Sequence, residues 1–196
     1  MKHLIILGCI LITTTAFSQN FTTDIAAAKT AYSSGKLEDT HFALQQAMQE
    51  IDIIIGKEVL ALLPGKMDTC AANIKSDEVT NNVGYMGSTI HRSYGQHDQV
   101  DLSIIGNSPL IQTLNTILNT PMLGGMSTNG NSKIIKVQGY KGQLKRDDNS
   151  NGQTDYTIEI PLGSSLITFT AKNTTDTQIT TWANTLPLQQ IAKLLQ

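Results

Sequence analysis

The chain has 196 residues and a formal net charge of −2, and 15% of its residues are charged. This balance argues against nucleic acid and against an anionic membrane surface as partners, because both usually require clustered lysine and arginine. The length fits one domain of ordinary size with its own hydrophobic core.

The N-terminus predicts a secretory signal peptide over residues 1–18. Lys2 gives a short basic start, an apolar run follows from Leu4 to Ile12, and Ala16-Phe17-Ser18 supplies the small-x-small pattern that precedes a cleavage site. Cleavage after Ser18 would release the mature protein into the periplasm or the medium.

Two membrane-attached alternatives are less favoured. The apolar run ends at Thr13, Thr14 and Thr15, well short of the roughly 20 residues that a spanning helix needs. A lipid attached to Cys9 would require a lipoprotein cleavage site, but the apolar segment before Cys9 is too short and continues past it. We therefore expect no integral membrane segment after signal cleavage.

The mature chain, residues 19–196, retains one cysteine, Cys70. It cannot close an internal disulfide even in an oxidising compartment, so its stability must come from packing. No cluster of positive charge and no C-x-x-C partner adjoins Cys70 to activate it. A buried or intermolecularly paired thiol is therefore favoured over a nucleophile.

Residues 19–65 are predicted to form a helical hairpin. Thr22 or Thr23 can cap its first helix, and Asp24 would stabilise the first turn against the helix dipole. Gly35 is expected to end this helix, because glycine readily adopts the left-handed conformation of a helix C-terminus.

A second helix is predicted from about Leu37 to the stop signal at Pro64-Gly65. Its apolar residues recur every three or four positions, which indicates a buried stripe, and further apolar residues widen that stripe. We therefore expect this helix to be covered on more than one side. The residues of the stripe are Leu44, Met48, Ile51, Ile55, Val59 and Leu62.

The segment KTAYSSGKLEDTHFALQQAMQ resembles a single tetratricopeptide-type helical hairpin, with Ala31, Tyr32, Gly35, Ala43 and Ala47 in the corresponding places. The resemblance covers about one repeat of roughly 34 residues, and no second copy follows, whereas a stable array needs at least three. We therefore expect a local hairpin packed on the rest of the domain and assign no peptide-binding residues from the resemblance.

A β-hairpin is predicted next, with strands at 85–94 and 100–105. Val100, Leu102 and Ile104 alternate with polar residues, as in an antiparallel strand that is buried on one face and solvated on the other. Ser108-Pro109 then offers a capping hydroxyl and a first-turn proline to another helix.

The Gly- and Asn-rich segment 120–132 carries three apolar side chains, Met122, Leu123 and Met126. These could form a mobile lip over an apolar cleft and contact a ligand or partner, because methionine adapts to irregular surfaces and long loops are often functional. The alternative is an ordinary connection whose apolar residues tuck against the domain, and this alternative is favoured.

Three further strands are predicted at 134–144, 155–160 and 166–170. A capping box at Thr175–Gln178 then starts a helix that places Trp182 in the core, and Pro187 breaks this helix and starts another. Both helices are amphipathic, so they are expected to pack onto the sheet.

The segment from Arg146 to Tyr156 partly matches a calcium-binding loop. With Asp147 at position one, Gly152 stands at position six as required, but position twelve is Ile158 where a bidentate carboxylate is needed. Asn151-Gly152 is a strong signal for a hairpin turn. We therefore predict a turn and keep weak calcium binding as a minor hypothesis.

The remaining chemical candidates are His91, His97 and Asp98, which could supply two histidines and one carboxylate to a metal ion. Strand alternation gives a simpler interpretation, in which His91 shares a solvated sheet face with Thr89 and Ser93. No motif of a hydrolase, a nucleotide-binding protein or a cofactor-binding protein occurs in the chain. We therefore predict no cofactor.

The sequence as a whole predicts an α+β fold: an antiparallel sheet of about five strands (residues 66–196) with helices packed on one face, preceded by the helical hairpin. The favoured function is that of an exported, non-enzymatic binding or assembly-accessory protein of the bacterial envelope, with a protein partner or a small apolar ligand. The alternative is a small metal-dependent or hydrolytic periplasmic enzyme that uses His91, His97 and Asp98.

Overall fold

The computed structural model describes residues 17–81, 87–97, 99–120, 131–150 and 152–195. The chain divides into two units, Met1–Glu50 and Ile51–Gln196, and the division falls within the second helix. The second unit combines helices with an antiparallel sheet, so the predicted α+β class is confirmed.

The first unit contains helix α1 (Phe17–Ser33) and the beginning of α2 (Leu37–Leu62). Gly35 has a φ of +71° in the turn between them, and the backbone N–H of Lys36 donates to the carbonyl of Ala31 at 3.0 Å. The predicted turn at Gly35 is confirmed. The predicted cap at Thr22 or Thr23 is wrong, because α1 begins at Phe17 and no helix-breaking residue precedes the threonines.

The second unit is built on two sheets. A small sheet joins β1 (Lys66–Met67) to β2 (Cys70–Ala71), and a 3-10 turn follows at Ile74–Ser76. The main sheet has seven antiparallel strands in the order β3-β4-β5-β9-β8-β7-β6. Its strands are β3 (Glu78–Asn81), β4 (Ser88–Tyr94), β5 (Val100–Gly106), β6 (Ser132–Val137), β7 (Tyr140–Asp148), β8 (Thr154–Leu162) and β9 (Ser165–Ala171).

The main sheet has more strands than the five that were predicted, for two reasons. The predicted strand 134–144 is in fact two strands, because Gln138 and Gly139 adopt positive φ angles of +49° and +89° and form a tight turn. Glutamine is not among the residues that usually mark such a turn. The short strand β3 carries no alternating apolar pattern and was not predicted.

The hydrophobic core of the second unit lies on one face of the main sheet, here called the first face. Alternate residues of the central strands point into it, including Leu102 of β5 and Phe169 of β9, which are register partners. Helices α4 (Asp176–Ala183) and α5 (Leu188–Leu194) contribute Trp182 and Ile191 to the same core. The predicted packing of the C-terminal helices is therefore confirmed, as is the buried state of Cys70.

Helix α3 (Leu110–Asn119) packs on the opposite, second face of the sheet. Its residues Leu114 and Leu118 form a separate buried cluster with Leu166 of β9. The next residue, Ile167, belongs to the main core, and neighbouring residues of a strand point to opposite faces. Helices therefore contact both faces, whereas the sequence predicted one, and α3 covers only part of the second face.

The predicted turn between β7 and β8 is confirmed by the described residues 149–150 and 152–153, and Asn151 lies outside the described residues. The N–H of Gly152 donates to the carbonyl of Asn149 at 3.0 Å, and Gly152 has a φ of +75°. Asp148 and Asp155 already accept hydrogen bonds from Thr154 and Asn149. Weak calcium binding stays a prediction.

Replacing Gly56 by alanine is expected to lower the free energy of unfolding. Gly56 lies on α2, where an added Cβ would stand 2.5 Å from Cγ1 of Val79 and 3.3 Å from Cγ1 of Ile90. Such overpacking costs about 1–3 kcal/mol, which exceeds the gain of at most about 1 kcal/mol from alanine's helix propensity.

Urea denaturation of the two proteins would measure the difference. Gly65→Ala is the matched control, because no atom lies within 4 Å of the added Cβ at that position. A Gly56→Ala protein at least as stable as the wild type would show that α2 and the sheet do not approach each other this closely.

Candidate functional site

His91 lies on β4 and points to the second face of the main sheet. Its neighbours Ile90 and Arg92 are buried on the first face, so strand alternation directs the imidazole the other way. The Nε2 atom is 2.5 Å from Oδ2 of Asp101 on β5, and the two side chains are 32% and 37% exposed. Such a cross-strand pair contributes roughly 0.2–1 kcal/mol to stability.

The other two members of the predicted metal set are not assembled around His91. His97 lies in the turn after β4 with a φ of +55°, and its carbonyl oxygen accepts a hydrogen bond from Nζ of Lys172. Asp98 lies outside the described residues. Within the described ranges, no group of three or more His, Cys, Asp or Glu side chains is placed to hold a metal ion.

The enzyme hypothesis therefore stays a prediction with one supporting feature, the half-buried pair of His91 and Asp101. A histidine beside a carboxylate can act as a general base when a substrate proton lies within hydrogen-bond reach. Asp101 is the hydrogen-bond partner that the described part of the chain offers to the imidazole. The face around it carries the hydroxyls of Ser103, Thr168 and Thr170.

The three predicted loop contacts, Met122, Leu123 and Met126, lie outside the described residues. Their predicted role as ligand or partner contacts stays a prediction. The C-terminal helix places Leu188 and Ile191 in the core.

A buried polar network lies on the first face of the sheet. Arg92 of β4 is 6% exposed, and its Nε donates to Oδ1 of Asp77 at 2.8 Å while its Nη2 bonds the other carboxylate oxygen. Its Nη1 donates to the carbonyl of Leu63 at 3.3 Å. The network therefore connects the segment after α2 with the start of β3, and the hydrogen bond to Asp77 raises the pKa of Arg92.

Tyr94 lies two residues along β4 from Arg92, on the same face of the sheet. Its side chain is fully buried, and its hydroxyl has no hydrogen-bond partner in the described part of the molecule. Burial raises the pKa of Tyr94 to about 12, so the phenol remains neutral near pH 7. A sealed, neutral phenol beside an ion pair indicates a structural role rather than a catalytic one.

The most unusual surface belongs to the helical hairpin of the first unit, residues 20–50. Its buried residues are three alanines, Ala28, Ala43 and Ala47. Six of its large apolar side chains are exposed instead, which reverses the usual distribution between interior and surface. The exposed set comprises Ile25, Tyr32, Leu37, Phe42, Leu44 and Met48.

Three of these side chains line one face of α2, here called the α2 seam: Leu37, Leu44 and Met48 with His41 between them. The four positions follow steps of four, three and four, which is the spacing of a coiled-coil heptad. Leu37 and Met48 are each 67% exposed and Leu44 is 44% exposed. The seam thus has the pattern of a helix–helix contact but is open to solvent.

The exposure of the α2 seam contradicts part of the burial that the sequence predicted for α2. Leu44 and Met48 were predicted to lie in a buried stripe, on a helix covered on more than one side. That prediction holds for Val59, which is fully buried, and for Ile55 and Leu62, which pack against the core. It is wrong for Leu44 and Met48, and also for Ile51, which is 37% exposed. Periodicity identifies which residues share a face but not whether anything covers that face.

No protein-family model, curated protein or solved structure gives a significant match to this chain. Among the described residues, no helix is both long enough and apolar enough to cross a membrane.

Proposed function

We propose that the protein is an exported, non-enzymatic binding or assembly-accessory protein of the bacterial envelope, and that its α2 seam binds an amphipathic helix of a partner protein. Export to the periplasm or medium is proposed from the signal-peptide pattern of residues 1–18. The binding role is supported chiefly by the exposure of Leu37, Leu44 and Met48 on one helix face.

The length of the seam favours a helix over a small apolar ligand. Leu37 and Met48 are separated by eleven residues, which corresponds to about 16 Å along a helix axis. A small molecule would cover one or two of the exposed side chains, whereas a helix of three or four turns would cover all of them. Apolar anchors at heptad positions are also what a helix inserts into a neighbouring helix surface.

The energetics are consistent with a specific but moderate interaction. Fully burying a leucine or methionine side chain contributes about 1.5–3 kcal/mol. Three such side chains together reach the range of several kcal/mol that is needed to offset the freedom lost on association. The α2 seam is therefore sufficient as an anchor, and polar contacts around it would set the choice of partner.

Photo-crosslinking in the producing cell would test this proposal. A photoreactive amino acid placed at Leu44 in the full-length chain is expected to give one discrete adduct with a protein, and the crosslinked peptide is expected to have an amphipathic sequence. The same amino acid at Phe42 is the matched control, because Phe42 is 61% exposed on the same helix but faces away from the seam.

A pair of substitutions tests whether the adduct depends on the α2 seam. Leu37→Ser and Met48→Ser, combined with the crosslinker at position 44, should reduce the adduct at least tenfold, since truncating central apolar anchors typically has effects of this size. The proposal is wrong if positions 42 and 44 give the same adducts. It is also wrong if the adduct consists of two copies of this chain, because the surface would then serve self-association.

A further inference from the structure

The second unit contains a cavity of about 210 Å³ at one end of the main sheet. Helix α2 contributes to one wall, the C-terminal end of α5 contributes to another, and the ends of the neighbouring strands complete the lining. The lining residues that matter below are Asp52, Ile55, Ser88, Asn107, Ser165 and Leu194.

The polar side chains of this cavity lack partners within the described part of the protein. Asp52, Ser88, Asn107, Ser164 and Ser165 line the cavity, and none of their side-chain oxygen or nitrogen atoms bonds another described residue. Ser165 is only 2% exposed. Asp52 and Ser88 are half-buried, whereas Asn107 and Ser164 lie at the exposed rim. Buried polar groups are normally hydrogen-bonded, so the hydroxyl of Ser165, which bonds no other described residue, beside the half-buried carboxylate of Asp52 indicates a site for a polar ligand.

Asp52 determines the charge of that ligand. Among the described lining residues it is the one with an ionisable side chain, and burial raises the pKa of its carboxyl group. A carboxylate repels anions and attracts cations. A divalent metal is disfavoured because Ca²⁺ requires six to eight oxygen ligands and generally several carboxylates, and the described residues form no such group here.

The remaining lining fits an organic cation with a short hydrocarbon part. Serine hydroxyls and the Asn107 amide oxygen can accept hydrogen bonds from an ammonium group, which has three donors. Ile55, Leu194 and Leu195 provide apolar surface on the side of the cavity formed by the helices. A volume of about 210 Å³ leaves room for a ligand with an alkyl chain of about four to six carbons.

We propose that this cavity binds a small aliphatic primary ammonium compound, with its ammonium group on Asp52 and its alkyl chain against Ile55 and Leu194. The glycines beside it keep the site open. The N–H of Gly87 donates to the carbonyl of Gly106 at 2.9 Å, and a Cβ at Gly87 would stand 3.1 Å from the backbone of Gly106. A larger residue at position 87 would therefore displace the strand ends that form the cavity.

Titration with n-butylammonium, followed by NMR of the backbone amides in the full mature chain, would test the proposal. We expect saturable shifts centred on Gly106, Asn107 and Ser165, with a dissociation constant on the order of 1 mM for a ligand of this size. Butan-1-ol and butyrate have similar alkyl chains without the positive charge, and neither should give saturable shifts at these residues.

Asp52→Asn should weaken the binding of n-butylammonium at least tenfold. This variant is expected to fold, because it removes a partly desolvated charge without a partner. Asp39→Asn is the matched control, since Asp39 is an exposed carboxylate on the same helix and does not line the cavity. The proposal fails if n-butylammonium gives no saturable shift at 100 mM, if butan-1-ol binds equally well, or if Asp52→Asn leaves the affinity unchanged.

Discussion

Replacing Asp77 by alanine is expected to lower the free energy of unfolding of the second unit by about 3–5 kcal/mol. The guanidinium of Arg92 would remain buried without its counter-charge, because the carboxylate that accepts from its Nε and Nη2 would be gone. The side chains of Arg92 and Asp77 are only 7% and 14% exposed, so water could not replace the lost partner without rearrangement.

Urea denaturation followed by fluorescence would measure this loss, because the single tryptophan, Trp182, lies in the core of the second unit. Asp148→Ala provides the control: it also removes an arginine partner, Arg146, but both side chains are about half exposed and little change is expected. An unchanged urea midpoint for Asp77→Ala would contradict a structural role for the buried pair.

A double variant separates the pair's net contribution from the penalty of breaking it. Arg92→Met with Asp77→Leu removes both charges and keeps apolar volume at both positions. Such replacements are often neutral or stabilising, because the free energy that is needed to desolvate the two charges can exceed the gain from their attraction. We therefore expect the double variant to be more stable than Asp77→Ala alone.

Replacing Phe169 by alanine is the second change with a large expected effect, a loss of about 3–5 kcal/mol. Phe169 is fully buried at the centre of β9 and pairs with Leu102 on one side and Ile158 on the other. The substitution would leave a cavity between strands that the hydrogen-bonded sheet holds in place, so the surroundings can relax only partly.

The same urea experiment measures this effect. A loss of this size is a large part of the free energy of unfolding of a typical domain, which is about 5–15 kcal/mol. Ile74→Ala is the control within the second unit: Ile74 is 66% exposed, and its truncation should change the stability by no more than about 0.5 kcal/mol. Equal losses for Phe169→Ala and Ile74→Ala would place Phe169 outside the core.

Much of the fold follows from local sequence signals. The capping box is one example, since Thr175 accepts a hydrogen bond from the N–H of Gln178 at 3.2 Å. The alternation of Val100, Leu102 and Ile104 predicted a one-sided strand, and all three residues are buried. These features are predictable because each depends on residues a few positions apart.

The buried ion pair, the cavity and the exposure of the α2 seam depend on which distant residues contact or cover these positions, and sequence patterns did not reveal them. Arg92 stands between Ile90 and Tyr94 in the alternation of β4, which signals a buried charge, but the register of β3 is needed to identify Asp77 as its partner. Asp52, Asn107 and Ser165 share one cavity only because α2 and the strand ends meet. The open α2 seam was missed because a stripe of apolar residues normally indicates burial.

The order of strands in the main sheet has a consequence for how the chain would fold during the export proposed above. Strand β5 pairs with β9, so Leu102 must find Phe169 across a large part of the chain. Contacts between residues so distant in sequence form slowly, because the loop between them must close first. If the chain crosses a secretion channel N-terminus first, β5 crosses before β9 and lacks this neighbour until β9 has crossed. We therefore expect the main sheet to form only in the last stages of the passage.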